Sequence, residues 1–167
     1  MAHFNIVLHE PEIPSNTGNI GRTCVAAGAS LHLIEPLGFH LTDRYIKRAG
    51  MDYWSSLDLH RYIDYQDFTE KIPQNSKIYY ATTKAPQMYT DVHFEDNCYI
   101  MFGKESAGIP EDILYANQAT AIRIPMLETI RSLNLANSVA IVLYEALRQH
   151  GFDHMQETGQ LRSRPWR

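Results

Sequence analysis

The stretch Ile122-Arg-Ile-Pro-Met-Leu-Glu-Thr-Ile-Arg-Ser-Leu-Asn-Leu-Ala-Asn-Ser-Val-Ala-Ile-Val-Leu-Tyr-Glu-Ala-Leu-Arg148 decides how this chain folds. It opens as a short apolar strand ending at Ile124, stopped by Pro125, which has no amide to give a sheet. A polar turn, Glu128 to Ser132, then launches the longest apolar segment of the protein. Ser132 and Asn134 both carry side-chain oxygens able to accept the free amides of a first helical turn. From Leu135 to Leu147 only Asn137, Ser138, Tyr144 and Glu145 bear polar groups. A helix apolar on nearly every side has to be covered on nearly every side. It is therefore either the centre of the fold or part of a subunit interface. Gly151 stands where a glycine would close it. A backbone-rich turn with paired asparagines, running straight into such a helix, points to a binding site built into the core.

Upstream, strands and helices alternate. Phe4–Leu8, Leu31–Glu35, Leu57–Tyr62, Lys77–Thr82 and Cys98–Phe102 read as strands. Helices are expected at Ile20–Ala27, stopped by Gly28, at Thr42–Ala49, at Tyr65–Ile72 and at Glu111–Asn117. Asn16 or Thr17 is available to cap the first of these, and Pro110 occupies the first helical position of the last. This alternation predicts an α/β fold with a mostly parallel sheet and helices on both faces. Such sheets bind ligands at the carboxyl ends of their strands. Loops rich in glycine or asparagine follow the strands ending near Leu8, Phe102 and Ile124, so the three should meet in one site.

The 167 residues suit one domain, able to bury roughly two-thirds of its unfolded surface. No repeat or linker marks a second, so a single domain over 1–154 with a tail at 155–167 is expected. No apolar run nears the ~20 residues that span a bilayer, and no signal peptide is visible. Cys24 and Cys98, each in an apolar setting, read as reduced and buried, and the location as cytoplasmic. A net charge of −4 gives no bulk attraction for polyanions, so a nucleic-acid partner would need local patches. Two exist: Arg44, Lys47 and Arg48, and the tail Arg162, Arg164 and Arg167.

Gly18-Asn-Ile-Gly21 lacks the third glycine of a dinucleotide fingerprint. Alone it reads as a tight turn needing positive φ, or as a backbone clamp of the kind RNA-binding modules use. Gly103-Lys-Glu-Ser-Ala-Gly108 puts its Gly-Lys first, the reverse of a phosphate loop, which excludes ATP and GTP. The eight histidines are scattered without metal-ligand spacing, so no metal is expected.

Taken together, Asn16-Thr-Gly-Asn-Ile-Gly-Arg22, Phe102-Gly-Lys-Glu-Ser-Ala-Gly108 and Ile124-Pro-Met…Arg131-Ser-Leu-Asn-Leu-Ala-Asn-Ser138 resemble the motifs of the SPOUT methyltransferase superfamily, in its SpoU branch of RNA ribose 2′-O-methyltransferases. Each is weak alone, but their order and separation make the set specific. Glu10-Pro-Glu-Ile-Pro14 and Arg48-Ala-Gly-Met-Asp-Tyr53 resemble the minimal members, which methylate the wobble nucleotide of certain tRNAs, a cytidine or modified uridine. The resemblance reaches to about His154. It implies a C-terminal trefoil knot, a homodimer, and S-adenosylmethionine held by Ala81, Gly103, Ile124, Ser132 and Leu133, with Ala136 permitting close approach. It also implies Arg22 as base or phosphate grip, Asn16 and Glu105 orienting Arg22 and the ribose, and Tyr144 at the dimer seam near the partner's site. Arg22, Arg44, Lys47 and Arg48 would hold RNA, while Asn134 and Asn137 hold the turn. The alternatives are a 2′-O-methyltransferase of rRNA or another tRNA position, and a non-catalytic RNA-binding module.

Overall fold

The computed structural model describes residues 2–41 and 53–166; the expected basic helix with Arg44, Lys47 and Arg48 lies outside them. Six strands, β1 (Asn5–His9), β2 (Ser30–Ile34), β3 (Leu59–Tyr62), β4 (Ile78–Ala81), β5 (Tyr99–Phe102) and β6 (Ala121–Ile122), form one sheet in the order β3-β2-β1-β5-β4-β6. Every pairing is parallel, as the alternation predicts. The helices are α1 (Pro14–Ala27), α2 (Tyr65–Lys71), α3 (Glu111–Ala116) and α4 (Leu135–Gln149).

Both sheet faces are covered, which is why β1, β2 and β5 are buried throughout. Side chains alternate between faces: Ile6 and Leu8 join the core beneath α1 and α4, while Val7 joins the one with Phe68 of α2 and Ile72 just after that helix. Helix α4 buries Leu135, Val139, Val142, Leu143, Ala146 and Leu147. Each full burial of a large aliphatic contributes about 1.5–3 kcal/mol, against about 0.3–0.5 for a surface ion pair along a helix, so packing holds this helix. Its other side is an open stripe of Asn137, Ile141, Tyr144 and Arg148, with Ile141 37% and Tyr144 41% exposed. The cap is Asn134, whose Oδ1 accepts from Ala136 N at 2.9 Å and Asn137 N at 3.3 Å.

Three expectations change. Helix α1 begins at Pro14, so Asn16 and Thr17 lie inside it and do not cap it; Ile13 holds the cap position without a side-chain bond. Gly18 and Gly21 are helical and neither has positive φ, which removes the tight turn and the clamp loop alike. Gly21 is closely packed instead: a Cβ there would come to 3.0 Å from the Trp54 ring and 3.2 Å from Leu57, so those side chains would have to shift by a few tenths of an ångström. Pro110 is the cap residue of α3, one place before its first helical position.

Cys24 and Cys98 are buried free thiols. His32 is buried between strands, with Nε2 at 3.1 Å from Asn5 Oδ1 and Nδ1 at 2.9 Å from the Tyr62 hydroxyl. Because Asn5 gives its amide hydrogens to Asn97 and Cys98 carbonyls, its oxygen needs a donor, which places the proton of a neutral ring on Nε2. Burial, helped by neighbouring His60, pushes the His32 pKa down to about 3. The unfolded chain binds that proton near pH 6.5, so the stabilisation is complete above 6.5 and is lost as pH falls toward about 3. The slope is about 1.4 kcal/mol per pH unit in that window. The melting temperature should therefore drop between pH 7 and pH 5, less steeply in His32→Gln; equal slopes in the two proteins would clear His32 of the effect.

Candidate active site

The site forms where three loops meet beyond the carboxyl ends of β1, β5 and β6. The loop after β5 folds back on itself, Gly108 N donating to Lys104 O at 2.8 Å. This requires glycine at two places for two reasons. Gly108 has φ +73°, and a Cβ on Gly103 would lie 2.0 Å from the Gly108 carbonyl carbon and 2.2 Å from Ile109 N.

Reciprocal carboxylate bonds clasp this loop to the segment after β1. Glu105 accepts from Glu12 N at 2.8 Å, Ile13 N at 3.3 Å and Asn16 Nδ2 at 2.9 Å. Glu12 in return accepts from Ser106 N and Oγ, both at 2.8 Å, which lowers its pKa. Lys104 pairs with Glu10 at 2.8 Å. Glu105 thus supplies, from a distant loop, the negative charge that favours a helix start where α1 has no side-chain cap of its own.

The third loop joins through Asn134, whose Nδ2 donates to Asn16 Oδ1 at 3.1 Å. Buried Asn16 therefore spends its amide on Glu105 and its oxygen on Asn134, one hydrogen-bonded chain through all three loops. Beside it opens a cavity of about 640 Å³, within the usual range for small-molecule sites.

Of the residues the sequence singles out, Ala81, Gly103, Ile124, Ser132 and Leu133 line this cavity, and so do Asn16 and Glu105. Ala136 does not; it packs against the core in the first turn of α4. Arg22 lies outside the lining on the exposed side of α1, and Tyr144 lies on the open stripe of α4, 6.5 Å from the Phe152 ring. Asn134 holds its turn, whereas Asn137 is exposed. The cavity also recruits Lys84, which pairs with Glu111, together with Met126 and Arg131. Lys84 follows β4 at the ligand-binding end of the sheet, and Arg131 stands inside the polar turn, so position alone could have flagged both.

Among the described residues no cluster of three or more His, Cys, Asp or Glu could hold a metal, and no helix is long and apolar enough to cross a membrane. Residues 3–144 match the model of the SpoU rRNA methylase family. A relative from Escherichia coli strain K12, named tRNA (cytidine(34)-2′-O)-methyltransferase, is 47% identical over 151 residues, covering 89% of this chain and 95% of that one. A solved structure concerned with 2′-OH methylation of C/U34 on tRNA superposes with a TM-score of 0.85 at 39% identity, covering 90% of this chain and 98% of the other. An rRNA methyltransferase from Sinorhizobium meliloti, solved with S-adenosylmethionine bound, gives 0.76 at 27% identity, covering 87% of this chain but 56% of that one.

Proposed function

The chain belongs to the SpoU methylase family, and from that premise we propose that it transfers the methyl group of S-adenosylmethionine to the ribose 2′-oxygen of nucleotide 34, the wobble position of tRNA. The observation that carries the reading is the Glu105–Asn16–Asn134 chain, which gathers the three motifs at one cavity. The two tRNA-acting relatives match over almost their whole lengths, whereas the rRNA-acting one matches over 56% of its own, which favours tRNA. A non-catalytic clamp loses its support, because Gly18 and Gly21 are helical.

The residues fit the cofactor. Ala81, Gly103, Ile124, Ser132 and Leu133 border the cavity with backbone polar groups and apolar side chains suited to an adenine, and Gly103 leaves no room for a side chain. Arg131 adds a cationic side chain to the lining, suited to a carboxylate, while the Lys84 ammonium is paired with Glu111. When bound, S-adenosylmethionine supplies an electrophilic methyl on a sulfonium. The chain's own task is to bring a 2′-hydroxyl to it and ease the loss of the hydroxyl proton. Glu105 and Asn16 fix the start of α1, and Arg22, further along that helix, faces the RNA and grips a phosphate beside the reacting ribose.

Two finer points belong to the same reading. The segment after β6 leaves the sheet edge yet returns to bond Asn16 and pack α4 on α1, which supports a trefoil knot in the C-terminal part. The open stripe of Ile141 and Tyr144 is the homodimer seam, bringing Tyr144 of one copy toward the partner's site, and Arg44, Lys47 and Arg48 supply further positive charge for RNA. The enzyme works in the cytoplasm, where tRNA is found.

The test is methylation of bulk tRNA from a bacterial strain lacking its own position-34 2′-O-methyltransferase, with labelled S-adenosylmethionine. Ribose methylation mapped to nucleotide 34, by a protein that sediments as a dimer, is expected. Label confined to rRNA or to another tRNA position would overturn the substrate, and failure to bind S-adenosylmethionine the whole reading.

A further inference from the structure

Arg22 is exposed on α1, and among the described residues no carboxylate pairs with it. What it touches is a ring: its guanidinium carbon lies 5.8 Å from the centroid of Tyr53. The ring is itself held, because the Tyr53 hydroxyl donates to Gly18 O at 3.0 Å. That carbonyl is the one the helical repeat assigns to the amide of Arg22, four residues on. Immediately after Tyr53, Trp54 and Leu57 press on Gly21 so closely that a Cβ there would meet them at 3.0 and 3.2 Å. The Tyr53–Leu57 segment is thus seated on the single turn of α1 that carries Arg22.

We infer that Tyr53 is a positioning residue for Arg22, limiting where its guanidinium points while leaving its N–H groups free for RNA. The choice of an aromatic partner is functional. A carboxylate would restrain the arginine equally well but would occupy the donors that a phosphate needs, whereas a π face attracts the cation and accepts none of its in-plane hydrogen bonds. Burial raises the Tyr53 pKa, only partly opposed by Arg22, so the phenol stays protonated and keeps its bond to Gly18. This inference rests on the role of Arg22 proposed above.

The experiment is a double-mutant cycle in the full-length protein, read by single-turnover methylation of the same tRNA pool with labelled S-adenosylmethionine. Tyr53→Leu should slow the rate about tenfold at saturating tRNA, with cofactor affinity and melting temperature little changed. Tyr53→Phe, which keeps the ring, should recover the rate to within about threefold. In the Arg22→Ala background Tyr53→Leu should add no further loss. Losses that multiply, or equal losses for the Phe and Leu variants, would overturn the inference while leaving the role of Arg22 standing. An Arg22→Ala protein as fast as the native one would instead overturn that role. Should Tyr53→Leu not fold, a cycle built on Tyr53→Met, which fills the same space without a ring, reads the same coupling.

Discussion

Gly103→Ala is expected to weaken S-adenosylmethionine binding at least a hundredfold while the protein stays folded. The new Cβ would sit 2.0 Å from one backbone atom and 2.2 Å from another, and neither is the flexible end of a side chain. The loop must therefore open by more than 1 Å, roughly the gap between these contacts and normal van der Waals separation. Opening moves Glu105 and Ser106, whose bonds to Glu12, Ile13 and Asn16 tie the loop to α1. The sheet core at Ile100 and Met101 lies upstream of the change and keeps its packing. Gly108→Ala makes the contrast. It meets no atom within 4 Å, so its penalty is the left-handed backbone alone, about 1–2 kcal/mol, or roughly five- to thirtyfold in affinity. Calorimetry with S-adenosylmethionine on both variants, with circular dichroism as the folding control, reads the ranking. If Gly103→Ala binds within threefold of the native protein, this loop is not the cofactor site.

The contrast also shows what a sequence makes legible. Strands such as Ile6–Leu8 and Ile100–Phe102 declare themselves through apolar runs, and Asn134 through capping, because both are local chemistry. The start of α1 does not. Gly18 and Gly21 each disfavour a helix by about 1 kcal/mol relative to alanine, so the segment reads as a turn until its tertiary partners are seen. Those partners are Glu105, which replaces the missing cap from a distant loop, and Trp54, whose ring packs closely on Gly21. The same holds within the site. Residues beside strand ends, such as Ala81 and Gly103, are placed by topology and line the cavity, whereas Ala136, in the first turn of α4, packs toward the core. Arg22 and Asn16 share a motif, yet only Asn16 borders the cavity; one helix presents them to different neighbours.

Arg22→Ala is expected to slow methylation about 10²–10³-fold at saturating tRNA, the usual effect of removing one donor that stabilises developing negative charge. Affinity for tRNA should fall as well, by about tenfold for one charge-assisted phosphate contact. The two readouts together separate the possible roles of this arginine. To act as a base it would have to be neutral near pH 7, although guanidinium holds its proton to above pH 12. A displacement of about five pKa units corresponds to about 7 kcal/mol of destabilised cation. Among the described residues the Arg22 side chain is exposed and its contact is the face of the Tyr53 ring, not a buried apolar pocket. A cation that grips the phosphate and lowers the pKa of the neighbouring hydroxyl meets no such obstacle. Affinity lost alongside rate is what a phosphate grip predicts, whereas a variant that binds tRNA as tightly as the native protein yet methylates about 10²–10³-fold more slowly would assign the proton transfer to the guanidinium.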